Sequence, residues 1–384
     1  MRWVVFGTYD KERHPRVAVL VEGLRACGDE VVEINEPLRL DTAGRVAMLR
    51  QPWRLPILAA KLLGGWSGLL RGRRRYARRP GGDPPDAVLV GYLGHFDVRL
   101  ARRLFPRTLI VLDHLVSAAG TARDRNLAES GGLKDRLMRG IDAGALRAAD
   151  VVVVDTAEHR AALPAAAAPD AVVAPVGATD EWFRRGRVPG REPGPLRVIF
   201  VGVFTPLHGA PTIAEAVAEL AGDEIEVTMV GTGQDHARCR QLAAGNGRVR
   251  WVDWVEGAEL PALVASHHVS LGIFGTTAKA RAVVPTKVYQ GAAAGCAIVT
   301  SDTPPQRAAL GEAAVYVPPG DAAALAAALR ALAADRAEVE RLGAAAHRIA
   351  VDQFTPAGVV SRLRERAAAV RGGRGAGEDV PHAA

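Results

Sequence analysis

The chain has 384 residues, 48% of them hydrophobic and 24% charged, with a formal net charge of +7. That length and balance leave room for two domains with a core in each, and exclude a disordered, a collagen-like or a miniature scaffold protein. The three cysteines, Cys27, Cys239 and Cys296, stand far apart with no CxxC, so neither a disulfide framework nor a thiolate zinc site is expected, and a cytoplasmic setting is the natural reading. The basic excess is local: Arg71 to Arg79 holds six arginines and no acid, which argues against a chain-wide nucleic-acid surface.

The opening Met1-Arg-Trp-Val-Val-Phe-Gly turns charged at Asp10 and Lys11, too soon for the apolar core of a signal peptide. Short Val- and Ile-rich runs then alternate with helix-length amphipathic stretches, the pattern of βαβ units with parallel sheets. In the first half strands are expected at Trp3 to Phe6, Val31 to Ile34, Ala87 to Val90, Thr108 to Leu112, Val151 to Val154 and Ala171 to Ala174. The apolar run from Leu55 to Leu70 is interrupted by Lys61 and is too short to span a bilayer. Residues 177–196 bring Gly, Pro and charge together and read as a linker.

The pattern then repeats, with strands expected at Arg197 to Val201, Ile225 to Val230, Val249 to Val252, Val269 to Ile273, Ala297 to Thr300 and Ala314 to Val317. The expected fold class is therefore α/β, two Rossmann-like doubly wound domains, 1–176 and 197–354, facing one another across a cleft. A C-terminal helix at about 355–370 is expected to join the first domain, and 371–384 to form a disordered tail.

The clearest local signal is Val198-Ile-Phe-Val-Gly-Val-Phe-Thr-Pro-Leu-His-Gly-Ala-Pro: a strand ending at Gly202, a loop, and a helix opening near Gly209 with Pro211 in its first turn. Free backbone N–H groups and a positive helix end suit a phosphate, to which His208 would add a proton or a positive charge; an ordinary strand-to-helix turn explains the glycines as well. Gly231-Thr-Gly233 follows the next strand, but a full dinucleotide fingerprint would need glycine at His236. Only five of the 49 basic residues are lysine, so Lys279 and Lys287, eight residues apart after another strand, stand out as point charges for phosphate, or else as solvated surface lysines. With no Asp-x-Asp, no His-Glu-x-x-His and no cysteine cluster, no metal is expected.

These segments together resemble a family 4 glycosyltransferase of the GT-B fold, in a bacterial subgroup carrying Pro-Leu-His-Gly and Pro-x-Lys-Val-Tyr-Gln. The similarity runs through Phe200 to Gly209, Val230 to Gly233, Gly272 to Gly295 and Thr300 to Leu310, and in the first half through FGTYD, HPRV, LDHLVS, residues 131–156 and VGATDEWF. The resemblance implies a nucleotide-sugar donor and no other cofactor. Its donor-binding residues would be Gly202, Thr205, His208, Gly209, Gly231, Gly233, Lys279, Thr286, Lys287, Val288 and Gln290, with Asp113, His114 and Lys287 catalytic and Gly7, Asp10 and His14 on the acceptor side. Val203 and His208 stand where the family usually has arginine and lysine, and Ala282 and Gln290 where it has two glutamates; Gln290 is read as a different hold on the donor sugar or ribose.

Family members generally retain anomeric configuration, so a hexosyltransferase acting in cell-surface glycan, glycolipid or natural-product synthesis is expected. Pro52 to Arg79, with Trp53, Trp66 and the arginine cluster, reads either as a peripheral membrane contact at the inner face of the cell membrane, where a lipid-linked acceptor would lie, or as an ordinary helix with a solvated basic end. Trp251, Trp254 and His267-His268 read as structural, with the loop after Trp254 a wall for the nucleobase. The rival readings are a GT-B sugar-nucleotide epimerase and a catalytically silent sugar-nucleotide- or lipid-binding module.

Overall fold

The computed structural model describes residues 1–11, 14–38, 55–79, 83–115, 117–124, 131–168, 170–184 and 194–378. The chain forms two compact units: Met1–Ala174 with Val359–Ala384, and Pro175–Gly358.

In the first unit β1 (Arg2–Gly7), β2 (Glu30–Asn35), β3 (Ala87–Val90), β4 (Leu109–Asp113), β5 (Val151–Val154) and β6 (Val172–Val173) form one parallel sheet in the order β2-β1-β3-β4-β5-β6. Side chains alternate across β1: Trp3 and Val5 enter one core, and Val4 and Phe6 the other. Both faces are covered, which is why β3 and β5 read as uninterrupted apolar runs.

The C-terminal helix, Pro356–Glu378, packs Val359, Val360, Leu363 and Ala367 into the core of Trp3 and Val5. Its Arg364 Nε donates to Asp29 Oδ2 over 2.7 Å, and the same carboxylate accepts from the Met1 ammonium and from Trp3 Nε1. Helix continues to Glu378, so residues 371–378 are not the disordered segment that the glycine content suggested, and 379–384 lie outside the described residues; Arg371 pairs with Asp86 at 3.0 Å.

The helix Leu55–Ala77 approaches β2 through small residues: a Cβ on Gly72 would lie 2.6 Å from Ile34 Cγ2. Leu69 is buried on that side while Ile57, Leu63 and Leu70 are exposed, so the segment packs as a first-unit helix and also presents apolar side chains to solvent. Among the described residues no helix is long and apolar enough to cross a membrane, and Pro52 and Trp53 lie outside them.

In the second unit β7 (Leu196–Val201), β8 (Ile225–Val230), β9 (Val249–Val252), β10 (Val269–Leu271), β11 (Ala297–Ser301) and β12 (Ala314–Val317) form a parallel sheet ordered β12-β11-β10-β7-β8-β9. Within the stretch read as a linker, Asp180–Arg184 is helical with Trp182 buried, and 185–193 lie outside the described residues. An amphipathic turn around Trp182 is easily missed amid Gly and Pro.

The order of the strands locates a site in each unit. Where neighbouring strands send their crossovers in opposite directions, the loops beyond their carboxyl ends part and leave a crevice. That point lies between β1 and β3 in the first unit and between β7 and β10 in the second.

Close loop packing in the second unit depends on glycine. Gly231 has φ +120°, and a Cβ there would collide with the carbonyl oxygen of Gly202. Gly231→Ala is expected to destabilise the protein by about 2–3 kcal/mol from strain and overpacking. Urea unfolding checks this; a loss under about 0.5 kcal/mol would show that the loops are not in such contact.

Candidate functional site

At the second switch point the chain leaves β7 through Gly202 and reaches the helix Ala210–Glu219 at Gly209, whose φ of +63° marks the left-handed turn that opens it. The Phe274 N–H donates to the His208 carbonyl over 3.0 Å, and a Cβ on Gly209 would collide with Phe274. The loop after β8 closes the other side, with the Gly202 N–H donating to Val230 and the Phe204 N–H to Thr232, each over 3.0 Å. Gly233 is pressed against the Phe204 backbone in the same way as Gly231 against Gly202. The glycines of the three loops thus hold backbone against backbone and leave little room for side chains.

Into this junction projects Lys287, from the first turn of the helix Thr286–Ala293. The residue is 7% exposed, and its Nζ lies 4.1 Å from the centre of the Phe200 ring. No described residue accepts a hydrogen bond from it. A Cβ on Gly202 would come within 2.6 Å of Nζ, so the glycine keeps open the space beside the ammonium. Burial pushes the Lys287 pKa well below its ordinary value, the response of a cation denied both water and a counter-charge.

His208 stands next to it, half-buried, its Nδ1 bonded to the Val203 carbonyl oxygen. Burial pushes its pKa down to about 3, helped by Lys287 and then Lys279, against the pull of that carbonyl. Of the proton or positive charge expected from His208, the structure does not favour a resting charge: burial first, and the two lysines after it, keep the ring neutral. Val203 is 56% exposed at the loop surface.

Thr205 is half-buried in the same loop and Thr286 sits half-buried beside Lys287. Gln290 is half-buried three residues beyond Lys287, on the same helix face. Val288 is a core residue: it packs beneath Gly272, where a Cβ would meet Val288 Cγ2 at 3.2 Å, and it shapes the site from within. Ala282 closes a short 3₁₀ turn, Ala280–Ala282, after Lys279. Trp251 packs with Phe204 and His236 in an aromatic cluster, and Trp254 is 74% exposed. His267 Nε2 lies 2.9 Å from Thr228 Oγ1, and His268 Nδ1 accepts from the Arg197 N–H, which fits their structural reading.

In the first unit the loop after β1 is tied down by Asp97, which accepts from the Thr8 N–H and hydroxyl, each over 2.8 Å, and from Trp66 Nε1. Gly7 is buried at the start of this loop, and a Cβ there would lie 3.2 Å from Asp97 Oδ2. Asp10 and His14 are half-buried; the His14 N–H donates to the Asp10 carbonyl, and its ring lies 4.3 Å from that of Tyr92 in the loop after β3. The sequence-predicted Gly7, Asp10 and His14 therefore meet the first switch point.

Asp113 ends β4 and is engaged by Arg16, whose Nε and Nη2 lie 3.2 and 3.1 Å from Oδ1; Arg16 Nη1 also donates to the Ala174 carbonyl. Both side chains are about 2% exposed or less, so the pair ties the helix Arg16–Ala26 to the sheet. Burial pushes the Asp113 pKa up while Arg16 pulls it back.

His114 follows, buried, with no partner for Nδ1 among the described residues and its ring 5.3 Å from that of His95. His95 Nε2 lies 3.0 Å from Asp142 Oδ1. Although burial alone would raise it, hydrogen bonds from His95, the Ala118 and Ala119 N–H groups and the Ser117 hydroxyl hold Asp142 down to about 2. Burial, with His95, pushes His114 down to about 4. Ligand-capable atoms of His95, His114 and Asp142 lie within 4.8 Å of one another, the one such trio among the described residues. Asp142, however, already accepts three hydrogen bonds, from the Ser117 hydroxyl and the Ala118 and Ala119 N–H groups, and secures the start of the helix Ala118–Asp124.

Residues 195–335 match the family model for group 1 glycosyl transferases. The matched stretch contains the whole Gly202–Lys287 site. No curated protein matches the chain.

Among solved structures, sucrose-phosphate synthase from Thermosynechococcus elongatus is similar at 17% identity and TM-score 0.68, over 96% of this chain and 99% of that one. Anabaena HepE in complex with UDP-glucose is similar at 14% and 0.65, over 97% and 99%. A glycosyltransferase from Rickettsia africae is similar at 11% and 0.61, over 96% and 97%. At such identities the likeness speaks to fold: the α/β fold class is that of the GT-B glycosyltransferases.

Sequence reading missed Phe200 as the ring under Lys287, and Arg16, His95 and Asp142 as the partners of the β4 end. A histidine and an aspartate in separate helices or loops carry no spacing signal of their own.

The acid limb of stability follows from the neutral histidines. A histidine depressed in the folded state contributes stability that is full above its unfolded pKa of about 6.5 and is lost as pH falls toward the folded value. Between pH 7 and 4.5 the wild type is expected to lose about 2 kcal/mol more than His114→Gln. Equal losses in urea unfolding at the two pH values would contradict the buried neutral state.

Proposed function

We propose that the protein is a glycosyltransferase that moves a sugar from a nucleoside diphosphate donor to an acceptor hydroxyl. The observation that carries this is the unpartnered Lys287 ammonium beside Gly202, at the crevice where this topology binds ligands. A desolvated cation with open space beside it is a site for an anion. The match to group 1 glycosyl transferases over the same residues, and the UDP and UDP-glucose bound by the similar HepE, support a nucleotide sugar as that anion's carrier.

In this reading Lys287, with the N–H groups between Gly202 and Gly209, meets the negative charge that gathers on the departing diphosphate. Such preorganised charge lowers the barrier because it counts for more as the bond breaks. Lys279, Thr205, Thr286 and Gln290 complete the donor side, and the loops bearing Gly231, Gly233 and Trp254 take the nucleoside. Protein groups supply the phosphate charge, so no metal is assigned a role.

In the first unit His114 is the candidate for a sugar hydroxyl, and Asp113 is a positioning residue held by Arg16. Gly7, Asp10 and His14 are assigned to the acceptor. The resemblance to family 4 supports transfer with retention, without a side-chain nucleophile, and a hexosyl donor.

The exposed Ile57, Leu63 and Leu70 with the following arginines support a peripheral contact with the inner membrane face and a lipid-linked acceptor, in cell-surface glycan or glycolipid synthesis. A cavity of about 200 Å³ between that helix and β2, lined in part by Glu33, Asn35, Glu36, Arg75, Tyr76 and Arg79, offers mixed polar groups to such an acceptor.

A thermal screen against UDP-, GDP- and dTDP-sugars tests the reading. One class is expected to stabilise by about 2–3 kcal/mol at a hundredfold excess over Kd, and Lys287→Met to abolish the effect and lower kcat about 10²- to 10³-fold. No stabilisation by any of them, with the protein folded, would contradict it.

A further inference from the structure

The donor-side geometry has an acid–base consequence, resting on the phosphate reading above. The His208 Nδ1 that meets the Val203 carbonyl must carry the ring's proton, because a carbonyl oxygen can only accept. A neutral ring then has no hydrogen on Nε2, and cannot donate from there to a phosphate oxygen. Beside it the Lys287 ammonium is buried without an acceptor among the described residues. The charged groups that bear on His208 are Lys287, from the helix Thr286–Ala293, and Lys279, from the loop before the 3₁₀ turn; both are positive. On Lys287 burial is the factor at work. The junction thus concentrates proton-binding groups around a space to which no described residue brings a counter-charge, and full protonation is disfavoured until an anion enters.

We propose that the Lys287–His208 pair takes up a proton as the phosphate ligand binds, so that the site reaches its full charge only with its ligand in place. The proton passes from solvent to whichever nitrogen of the pair, Lys287 Nζ or His208 Nε2, lacks its full complement, and no covalent bond to the ligand forms. A sugar nucleotide brings two negative charges on its diphosphate, and the free nucleoside diphosphate left after transfer brings a third. The pair therefore holds the leaving group more firmly than the intact donor. This places His208, through its proton, in the stabilisation of the departing phosphate even though its resting ring is neutral.

Isothermal titration of the full-length protein tests this with UDP-glucose, GDP-mannose and dTDP-glucose, whose diphosphates do not titrate near neutrality. The measurement compares Tris with PIPES, buffers of unlike ionisation enthalpy, and repeats the titration from pH 6.5 to 8.5. The expected result is uptake of up to about one proton per site, with affinity falling by up to about tenfold per pH unit as pH rises. Lys287→Arg, whose guanidinium stays charged, is expected to bind with less uptake, and His208→Gln to remove the share carried by the ring. Binding with the same heat in both buffers and an affinity flat with pH would overturn proton uptake and leave the phosphate reading standing. Binding of none of the three by folded protein would overturn the phosphate reading, and proton uptake with it.

Discussion

A cation buried without an acceptor is among the more expensive things a protein can hold, because it gives up its hydration and receives no charge in return. Lys287 is in that position, with only the face of the Phe200 ring to soften the loss. The surrounding loops are arranged so that the loss is not relieved from within. Gly202 offers no side chain, His208 is committed to the Val203 carbonyl, and Lys279 adds charge of the same sign. A fold that keeps this arrangement leaves the relief to a ligand, and the sign of the charge says what kind.

The site also depends on the order of the strands. With β7 beside β10, the loops that follow them part in opposite directions, and the helix beginning at Ala210 turns its amino end toward the gap. Gly209, Gly231 and Gly233 then let the loop backbones approach one another more closely than any side chain would permit. The first unit uses the same principle with different chemistry. Between β1 and β3 the loops are fixed by hydrogen bonds to Asp97, while the β4 end is held by the Arg16–Asp113 pair. There polar side chains, not glycines, set the positions.

Much of this was legible in the sequence. The alternation of apolar runs and amphipathic stretches located the strands to within a residue or two, because a parallel sheet covered on both faces needs continuous apolar runs. Lysine's rarity in an arginine-rich chain drew attention to Lys279 and Lys287, and the glycine-bounded turn drew it to Gly202 and Gly209. What could not be read was the state of these groups. That His208 is neutral follows from its burial and from the approach of two lysines, which outweigh the carbonyl of Val203 and are properties of folded loops. Likewise Asp113 resembles a free strand-end acid until Arg16, 97 positions earlier, is seen to engage it. The helical extension to Glu378 escaped notice because its glycines weaken helix propensity in isolation.

The central claim, that Lys287 is the phosphate anchor, is tested most directly by a crystal structure with UDP, or with the diphosphate of the base that the protein prefers. The account expects phosphate oxygens within hydrogen-bond reach of Lys287 Nζ and of the backbone N–H groups between Gly202 and Gly209. A diphosphate ordered elsewhere, with the Lys287 ammonium still bare over Phe200, would contradict it.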